Sequence, residues 1–323
     1  MSEHTRREFL WRALPGAAVA GASLTLLRPV VSFAADPQRD REYVAAKRAL
    51  EIDGQFAGWI ESVQGGRAAS DVDAGEAGVR KRQIGGVEYE DITVICGAEM
   101  SRGFYEWIKA TLDKQVVRAS GAVVTCDYNY KEDMRLEWTN ALITEVGFPA
   151  LDAASKDAAK MTIKFSPEMV RQAKGAGTEY SRGSSRAIQK KWLPSNFRLQ
   201  IAGLEAACTR VSKIEAIVVK QLASAGSEAR AVKGQAGLQA SNLMVTVPER
   251  DAPAFQEWQR GGDRNNVKNG TLAYLAPDLR EAFFTLTFQN LVVSRLTAGR
   301  VQAGSENIGR ATVEMTYQGL ALA

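Results

Sequence analysis

Histidine is nearly absent from this chain of 323 residues, which contains one, His4. His4 lies in an N-terminal segment that has the pattern of a cleaved export signal, so the mature chain would contain no imidazole. That would exclude acid–base catalysis by histidine, Ser-His-Asp and Cys-His nucleophiles and almost all catalytic zinc chemistry. We therefore expect a protein that is not an enzyme and has no catalytic residues.

Cysteine is scarce as well. Cys96, Cys126 and Cys208 lie far apart and show no C-x-x-C spacing, which argues against a zinc ribbon or a dithiol redox site. Unpaired cysteines usually pack as small apolar residues. We expect three buried thiols, no metal and no cofactor.

Charge of one sign is not concentrated anywhere in the chain. The 41 Lys and Arg residues and 37 Asp and Glu residues give a formal net charge of +4, and the two signs are interspersed. A protein that binds nucleic acid through a charged patch would show a basic arm or helix. We therefore expect no sequence-specific nucleic-acid binding.

Motifs for small-molecule chemistry are weak. The acidic pairs Glu132–Asp133 and Asp71/Asp73 lie in polar, turn-like stretches, so we interpret them as solvated loop charges and not as a glycosidase-like pair of carboxylates. The glycine-rich stretch 174–186 has neither the P-loop nor the dinucleotide-binding spacing. We expect no small-molecule substrate.

The N-terminus has the three parts of an export signal. Residues 5–11 have the sequence Thr-Arg-Arg-Glu-Phe-Leu-Trp, which resembles the twin-arginine motif Ser/Thr-Arg-Arg-x-Phe-Leu-Lys except at Trp11. The motif positions that match are Arg6, Arg7, Phe9 and Leu10. The mildly apolar stretch that follows is too short and too rich in Gly, Ala and Ser to span a bilayer stably.

Small residues predict cleavage between Ala34 and Ala35, which makes residues 1–34 the signal peptide and residues 35–46 a spacer. The twin-arginine route carries folded cargo, so we expect a periplasmic or extracellular protein. Two alternatives stay open. Arg6 and Arg7 could begin an ordinary amphipathic helix, or the first Met could lie upstream of the true translation start.

The rest of the chain contains two copies of one unit. A shift of about 150 residues aligns five stretches in the same order, and the members of each pair share an aromatic or an alternating pattern. The aligned stretches are 50–54 with 199–203, 104–107 with 255–258, 121–124 with 270–273, 136–140 with 286–290, and 161–165 with 313–317. This period is far longer than a solenoid repeat, so each copy is predicted to be a whole domain.

Each copy is predicted to combine antiparallel strands with one helix. The first helix begins near Ser101, a good N-cap residue, and the second begins near Asp251 and ends at Gly261. The aromatic residues of both helices are predicted to anchor them on the sheet. Long polar segments at residues 66–82 and 222–239 lie at equivalent positions of the two copies. Long loops at the same position of a repeated domain often contact a partner.

The predicted domains are residues 47–170 and 196–323, with a flexible, basic linker over residues 171–195. The first domain resembles the tail-tube protein family of contractile phage tails and extracellular contractile injection systems. Three stretches carry this resemblance. Residues 56–65 are similar to the family's turn after the first strand, residues 81–94 to the family's Lys-x-x-Gly … Tyr-x-Asp-Ile-Thr-Leu segment, and residues 104–114 to the family's helix. The second domain keeps the layout with weaker motifs.

The resemblance implies a mainly β fold, with two tandem tail-tube-like antiparallel barrel or sandwich domains and one helix in each. It also implies a structural role in a ring of six such domains, in which unpaired sheet edges find neighbours. A doubled chain would build that ring as a pseudo-hexameric trimer, with a hexamer of chains as the other option. The partners would be copies of the chain itself and other tail tube or baseplate subunits.

An export signal is not expected in a tail protein that assembles in the cytoplasm. The alternative location is therefore a virion or a tail-like particle assembled in the cytoplasm. Two other functions stay open. An exported β-domain enzyme or binding protein predicts a deep pocket with convergent polar groups. A secreted cargo or adaptor that mimics a tube subunit predicts a chain that forms no rings alone.

Overall fold

Antiparallel strands make up most of the structure, a computed structural model that describes residues 47–70, 87–180, 192–222, 237–261, 266–299 and 309–323. All of these residues belong to one compact unit. The prediction of a mainly β fold is confirmed. Across the described ranges, the helices are all too short or too polar to cross a membrane.

In the described residues, the first half of the chain contains ten strands and one helix. They are β1 (Lys47–Ile52), β2 (Gln55–Gln64), β3 (Ala68–Ser70), β4 (Val87–Tyr89), β5 (Ile92–Cys96), α1 (Arg102–Leu112), β6 (Arg118–Cys126), β7 (Glu132–Phe148), β8 (Leu151–Asp152), β9 (Met161–Ser166) and β10 (Met169–Lys174). Buried and exposed positions alternate along β5 and β9, as expected for strands with one face on a core.

The second half, again counting described residues, contains nine strands and two α-helices. They are β11 (Phe197–Ile201), α2 (Glu205–Cys208), β12 (Lys213–Ile214), β13 (Ile217–Leu222), β14 (Gly237–Ala240), β15 (Leu243–Pro248), α3 (Ala252–Arg260), β16 (Lys268–Leu275), β17 (Ala282–Ala298), β18 (Arg310–Thr316) and β19 (Gly319–Leu322). The single-turn helix α2 was not predicted from the sequence.

Six strands of the first half form a closed barrel. Following the hydrogen-bonded neighbours from β1 leads through β2, β5, β9, β7 and β6 and back to β1, and every pair is antiparallel. A closed barrel has no free edge inside the cycle. The hairpin of β3 and β4 forms a separate two-stranded sheet, and β10 pairs with the first part of β7.

The second half repeats this pairing scheme. The pairs β11–β16, β16–β17, β17–β18, β15–β18 and β12–β15 take the places of β1–β6, β6–β7, β7–β9, β5–β9 and β2–β5. The register is repeated as well, because Ile143 opposite Phe165 recurs as Val293 opposite Met315, with a bulge at the next residue in both halves.

The pairing corrects one detail of the sequence alignment. Residues 161–165 were aligned with 313–317, which matches Phe165 with Tyr317, whereas the shared register makes Met315 the equivalent of Phe165. A strand that alternates with a period of two looks the same after a shift of two residues, so the pattern alone does not define the register.

The second barrel is open where the first is closed. A two-residue turn at Asp53 and Gly54, both with positive φ, joins β1 to β2 as a hairpin. In the second half α2 stands between β11 and β12, and among the described strands these two are not neighbours. The inserted helix buries Ala207 and Cys208 instead.

Both long helices follow the sequence prediction. The Ser101 hydroxyl accepts a hydrogen bond from the Phe104 amide (3.3 Å), which caps α1, and α3 starts after Asp251 and ends at Gly261. The large aromatic residues of both helices are buried in one core that spans the two halves, namely Phe104, Trp107, Phe255 and Trp258. The predicted anchoring role is confirmed.

The segment predicted as a flexible linker, residues 171–195, is partly ordered. Strand β10 continues to Lys174, and Trp192 is buried in the shared core. Residues 181–191 lie outside the described residues, as do most of the two polar segments at 66–82 and 222–239. The two predicted domains therefore do not have separate cores.

Candidate functional site

The two halves are joined by a pair of antiparallel strands. Residues 145–148 at the end of β7 pair with residues 217–220 of β13, so that Val146 lies opposite Val219 and Glu145 opposite Lys220. We call these eight residues the internal joint. The Lys220 Nζ lies 3.5 Å from a carboxylate oxygen of Glu145, and this ion pair lies beside the buried valines.

The internal joint extends the first barrel into a sheet of the second half. Strand β13 pairs with β7 on one side and with β14 on the other. A second, shorter contact joins the halves where β8 of the first half pairs with β12 of the second, with Leu151 opposite Ile214. Each half therefore adds one strand to a sheet of the other half.

Aromatic side chains from both halves pack beside the joint. Phe148, the last residue of β7, lies 5.7 Å from Phe284 and 6.3 Å from Tyr274, measured between ring centroids. The rings of Tyr274 and Phe284 are stacked at 4.5 Å. Trp192 closes the cluster at 5.7 Å from Tyr274. Burial raises the pKa of the Tyr274 phenol well above its ordinary value, so this cluster is neutral packing between the halves.

The joint is energetically a piece of protein core. Val146, Phe148, Ile217 and Val219 are all 3% exposed or less. Burying such side chains contributes roughly 1.5–3 kcal/mol each, and the strand pairing satisfies backbone groups that would otherwise need water. The end of β7 is therefore stably joined to β13, the first strand of the hairpin that precedes β15.

Glu132 corrects the interpretation of the acidic pair Glu132–Asp133. It is the first residue of β7, and its side chain is fully buried with the Arg135 Nη1 2.8 Å from one carboxylate oxygen. Arg135 also pairs with Glu51, which accepts a hydrogen bond from the Tyr180 hydroxyl. Glu132 is thus a structural ion-pair residue and not a solvated loop charge, whereas Asp133 is exposed.

Glu132 and Arg135 are both held in their ionised forms. Burial alone would raise the pKa of Glu132, but hydrogen bonds from Arg135 and Thr178 and the charge of Arg135 outweigh it and lower the pKa. Desolvation would lower the pKa of Arg135, but hydrogen bonds to Glu132 and Glu51, the charge of Glu51 and a hydrogen bond to the Tyr180 hydroxyl outweigh it and raise the pKa. Opposite charges compensate one another here, as they must when buried.

The three cysteines are free and buried, as predicted. Burial raises the pKa of Cys96 to about 12 and that of Cys208 to about 11. For Cys126 burial and the nearby carboxylates together raise the pKa to about 11. Within the described ranges, no group of three or more His, Cys, Asp or Glu side chains is arranged to hold a metal ion.

The predicted signal residues, Arg6, Arg7, Phe9 and Leu10, and the cleavage position at Ala34 and Ala35 lie outside the described residues. So do Asp71 and Asp73. The internal joint was not predicted from the sequence, although the aligned stretches 136–140 and 286–290 lie in β7 and in its equivalent β17.

Comparison with protein families gives a match to the T4-like virus tail tube protein gp19 family over residues 44–171. The matched segment is less than half of the chain. Over these residues it confirms the resemblance inferred from the sequence. Comparison with curated proteins gives no match.

Several solved structures are similar to part of the chain. Hcp1 from Flavobacterium johnsoniae is 17% identical, with 42% of this chain and 98% of that chain covered and a TM-score of 0.30. Hcp1 from Salmonella typhimurium is 15% identical, with 39% and 91% covered and a TM-score of 0.27. The 6-fold symmetrised baseplate of the anti-feeding prophage contains a chain that is 18% identical, with 39% and 90% covered and a TM-score of 0.26.

Proposed function

We propose that this protein is a structural subunit of a phage-like tail tube or contractile injection system, in which three chains close into a ring of six domains. The repetition of the pairing scheme carries the proposal. The first half matches the tail-tube family, and the second half repeats its strand neighbours and its register. Each chain then supplies two equivalent ring positions.

The internal joint supports a ring in particular. Within one chain, two barrel-type units already share strands side by side, as neighbours in a ring would. A contact between unlike surfaces generates a closed ring when its rotation fits and a filament when it does not. If the two halves alternate around the ring, three chains form a ring with threefold symmetry and six similar domain positions.

Size-exclusion chromatography with light scattering on purified residues 35–323, at tens of micromolar, tests the proposal. The expected mass is that of three chains, and negative-stain electron microscopy should show rings with six lobes. Rings of six chains would replace the trimer and keep the tube-type role. A monomer at this concentration contradicts the ring and favours an adaptor or a binding protein.

We also propose that the chain is exported by the twin-arginine route. The motif at Arg6 and Arg7 supports this, and a reporter fused after residue 46 tests it. Replacing both arginines with lysine should abolish export of the folded reporter, while Arg28→Lys, outside the motif, should leave it unchanged. Export that persists in the double variant would contradict the proposal.

A further inference from the structure

The two strand segments that form the internal joint each have an equivalent in the other half of the chain. Among the described strands, these two equivalent segments do not pair with each other. The first side of the joint, residues 145–148 of β7, corresponds to residues 295–298 of β17, which we call the open end of β17. Its second side, β13 with β14, corresponds to the hairpin of β3 and β4. Among the described strands, β18 is the one neighbour of the open end of β17, and β4 is the one neighbour of β3.

The two hairpins are equivalent residue by residue. Val219 lies opposite Ala240 in the second half, and Ala68 lies opposite Tyr89 in the first. Both members of the pair differ by the same 151 positions. The hairpins also lie at the same place in the chain, directly before β15 and β5 respectively. β3 is therefore the counterpart of the strand that enters the internal joint.

The strand ends are equivalent as well. Val146 lies opposite Ile163 on β9, and Leu296 lies opposite Val313 on β18, so both members differ by 150 positions. The bulge that precedes these residues also recurs. The open end of β17 thus has the backbone geometry that accepts β13 at the end of β7.

Side chains at the open end of β17 and on β3 are more exposed than their equivalents in the internal joint. Val146 and Val219 are 0% and 3% exposed in the internal joint. Their counterparts Leu296 and Ala68 are half-buried and exposed. A strand edge that presents unpaired backbone groups beside apolar side chains tends to pair with another strand.

We propose that the open end of β17 of one chain pairs with β3 of the next chain, in the register of the internal joint. Leu296 then lies opposite Ala68, and Arg295 opposite Ala69. The partner is a second copy of this chain, because the chain itself contains the same contact in assembled form. The inference rests on the proposed ring and adds the strands and the register that close it.

Paired cysteines test the register. Opposite residues on antiparallel strands have Cβ atoms about 4.5–5.5 Å apart, close enough for a disulfide after a small adjustment. The variant Ala68→Cys with Leu296→Cys should give covalent dimers and trimers, and no larger species, after mild oxidation of the purified protein. The native cysteines are buried and do not compete.

The matched control is Ala68→Cys with Thr297→Cys. Adjacent residues of a strand point to opposite faces, so this pair should crosslink at least about tenfold less. A trimer by light scattering without efficient crosslinking of the first pair, or with equal crosslinking of both, overturns the inference and leaves the proposed ring intact. A monomeric protein contradicts the ring and the inference together.

A second variant checks the same contact without chemistry. Ala68→Asp places a charge in the proposed contact at an exposed position, so it should convert the trimer to monomer while the free energy of unfolding of the monomer is little changed. Val292→Asp, on β17 but outside the contact and already 43% exposed, should keep the trimer. Trimers in both variants, or monomers in both, would overturn the proposed contact.

Discussion

Val146 and Val219, one from each half of the chain, lie opposite each other on neighbouring antiparallel strands, and both are buried. Their contact makes the boundary between the two sequence repeats a part of the hydrophobic core. The halves are therefore expected to unfold together, in one cooperative transition.

Val219→Ala should lower the free energy of unfolding by about 2 kcal/mol, because it removes two buried methyl groups and leaves a small cavity. Val218→Ala is the matched control, since Val218 is half-buried on the other face of the same strand, and it should cost under about 1 kcal/mol. Urea titrations at one fixed protein concentration measure both values. Equal losses would contradict the role of Val219 in the joint.

Gly121→Ala should destabilise the first barrel by roughly 3 kcal/mol. A Cβ atom at this position would lie 2.1 Å from the carbonyl oxygen of Glu51 and 2.6 Å from the ring of Trp138, so the backbone of β1 would have to move. At Gly97 a Cβ atom meets nothing within 4 Å, so Gly97→Ala should be close to neutral. Thermal unfolding compares the two variants, and a similar change in both would contradict the steric argument.

Arg135→Met should cost about 3 kcal/mol, because it leaves the buried carboxylate of Glu132 and its neighbour Glu51 without their cation. Arg171 forms a comparable ion pair with Glu137 but is 72% exposed, so Arg171→Met should cost under about 1 kcal/mol. Denaturant unfolding at pH 7 measures both losses. A small loss at Arg135 would show that the buried pair is dispensable.

Acid should remove part of this stability. Although burial opposes ionisation, the hydrogen bonds and charge of Arg135 lower the pKa of Glu132 below its ordinary value of 4.5. A carboxyl group of this kind stabilises the fold above its unfolded-state pKa, and the contribution is lost as the pH falls through the folded-state value. Between pH 5 and 3 the stability of Glu132→Gln should therefore fall less steeply than that of the wild type. Glu61→Gln, at an exposed position, should follow the wild type.

The native thiols should react slowly with thiol reagents. With pKa values of about 12 for Cys96 and about 11 for Cys126 and Cys208, little thiolate exists at pH 8, and the side chains are buried. Labelling should become fast when the protein is unfolded in urea. The variant Val292→Cys, which is 43% exposed and lies outside the proposed contact between chains, should label at once and serves as the positive control. Rapid labelling of the native wild type would contradict the burial of these thiols.

Local features were predictable from the sequence. The cap at Ser101, the apolar face of α1 and the end of α3 at Gly261 were all found, because caps and helical periodicity involve neighbouring residues. The registers of long-range pairs were harder, and the alignment of Phe165 with Tyr317 was two residues out. The charge on Glu132 was misinterpreted because the buried cluster in which Arg135 pairs with both Glu132 and Glu51 forms only when β1, β6 and β7 pair.

By itself, the amino-acid sequence determined a mainly β protein with a repeated order of strands and one long helix in each half, because alternation and capping are encoded in adjacent residues. Only the tertiary structure decided that the two halves share one core through Val146 and Val219, and that, among the described strands, the open end of β17 and β3 each have a single neighbour. Those pairings join strands that are distant in the chain, where many registers satisfy the same alternation and packing selects one of them.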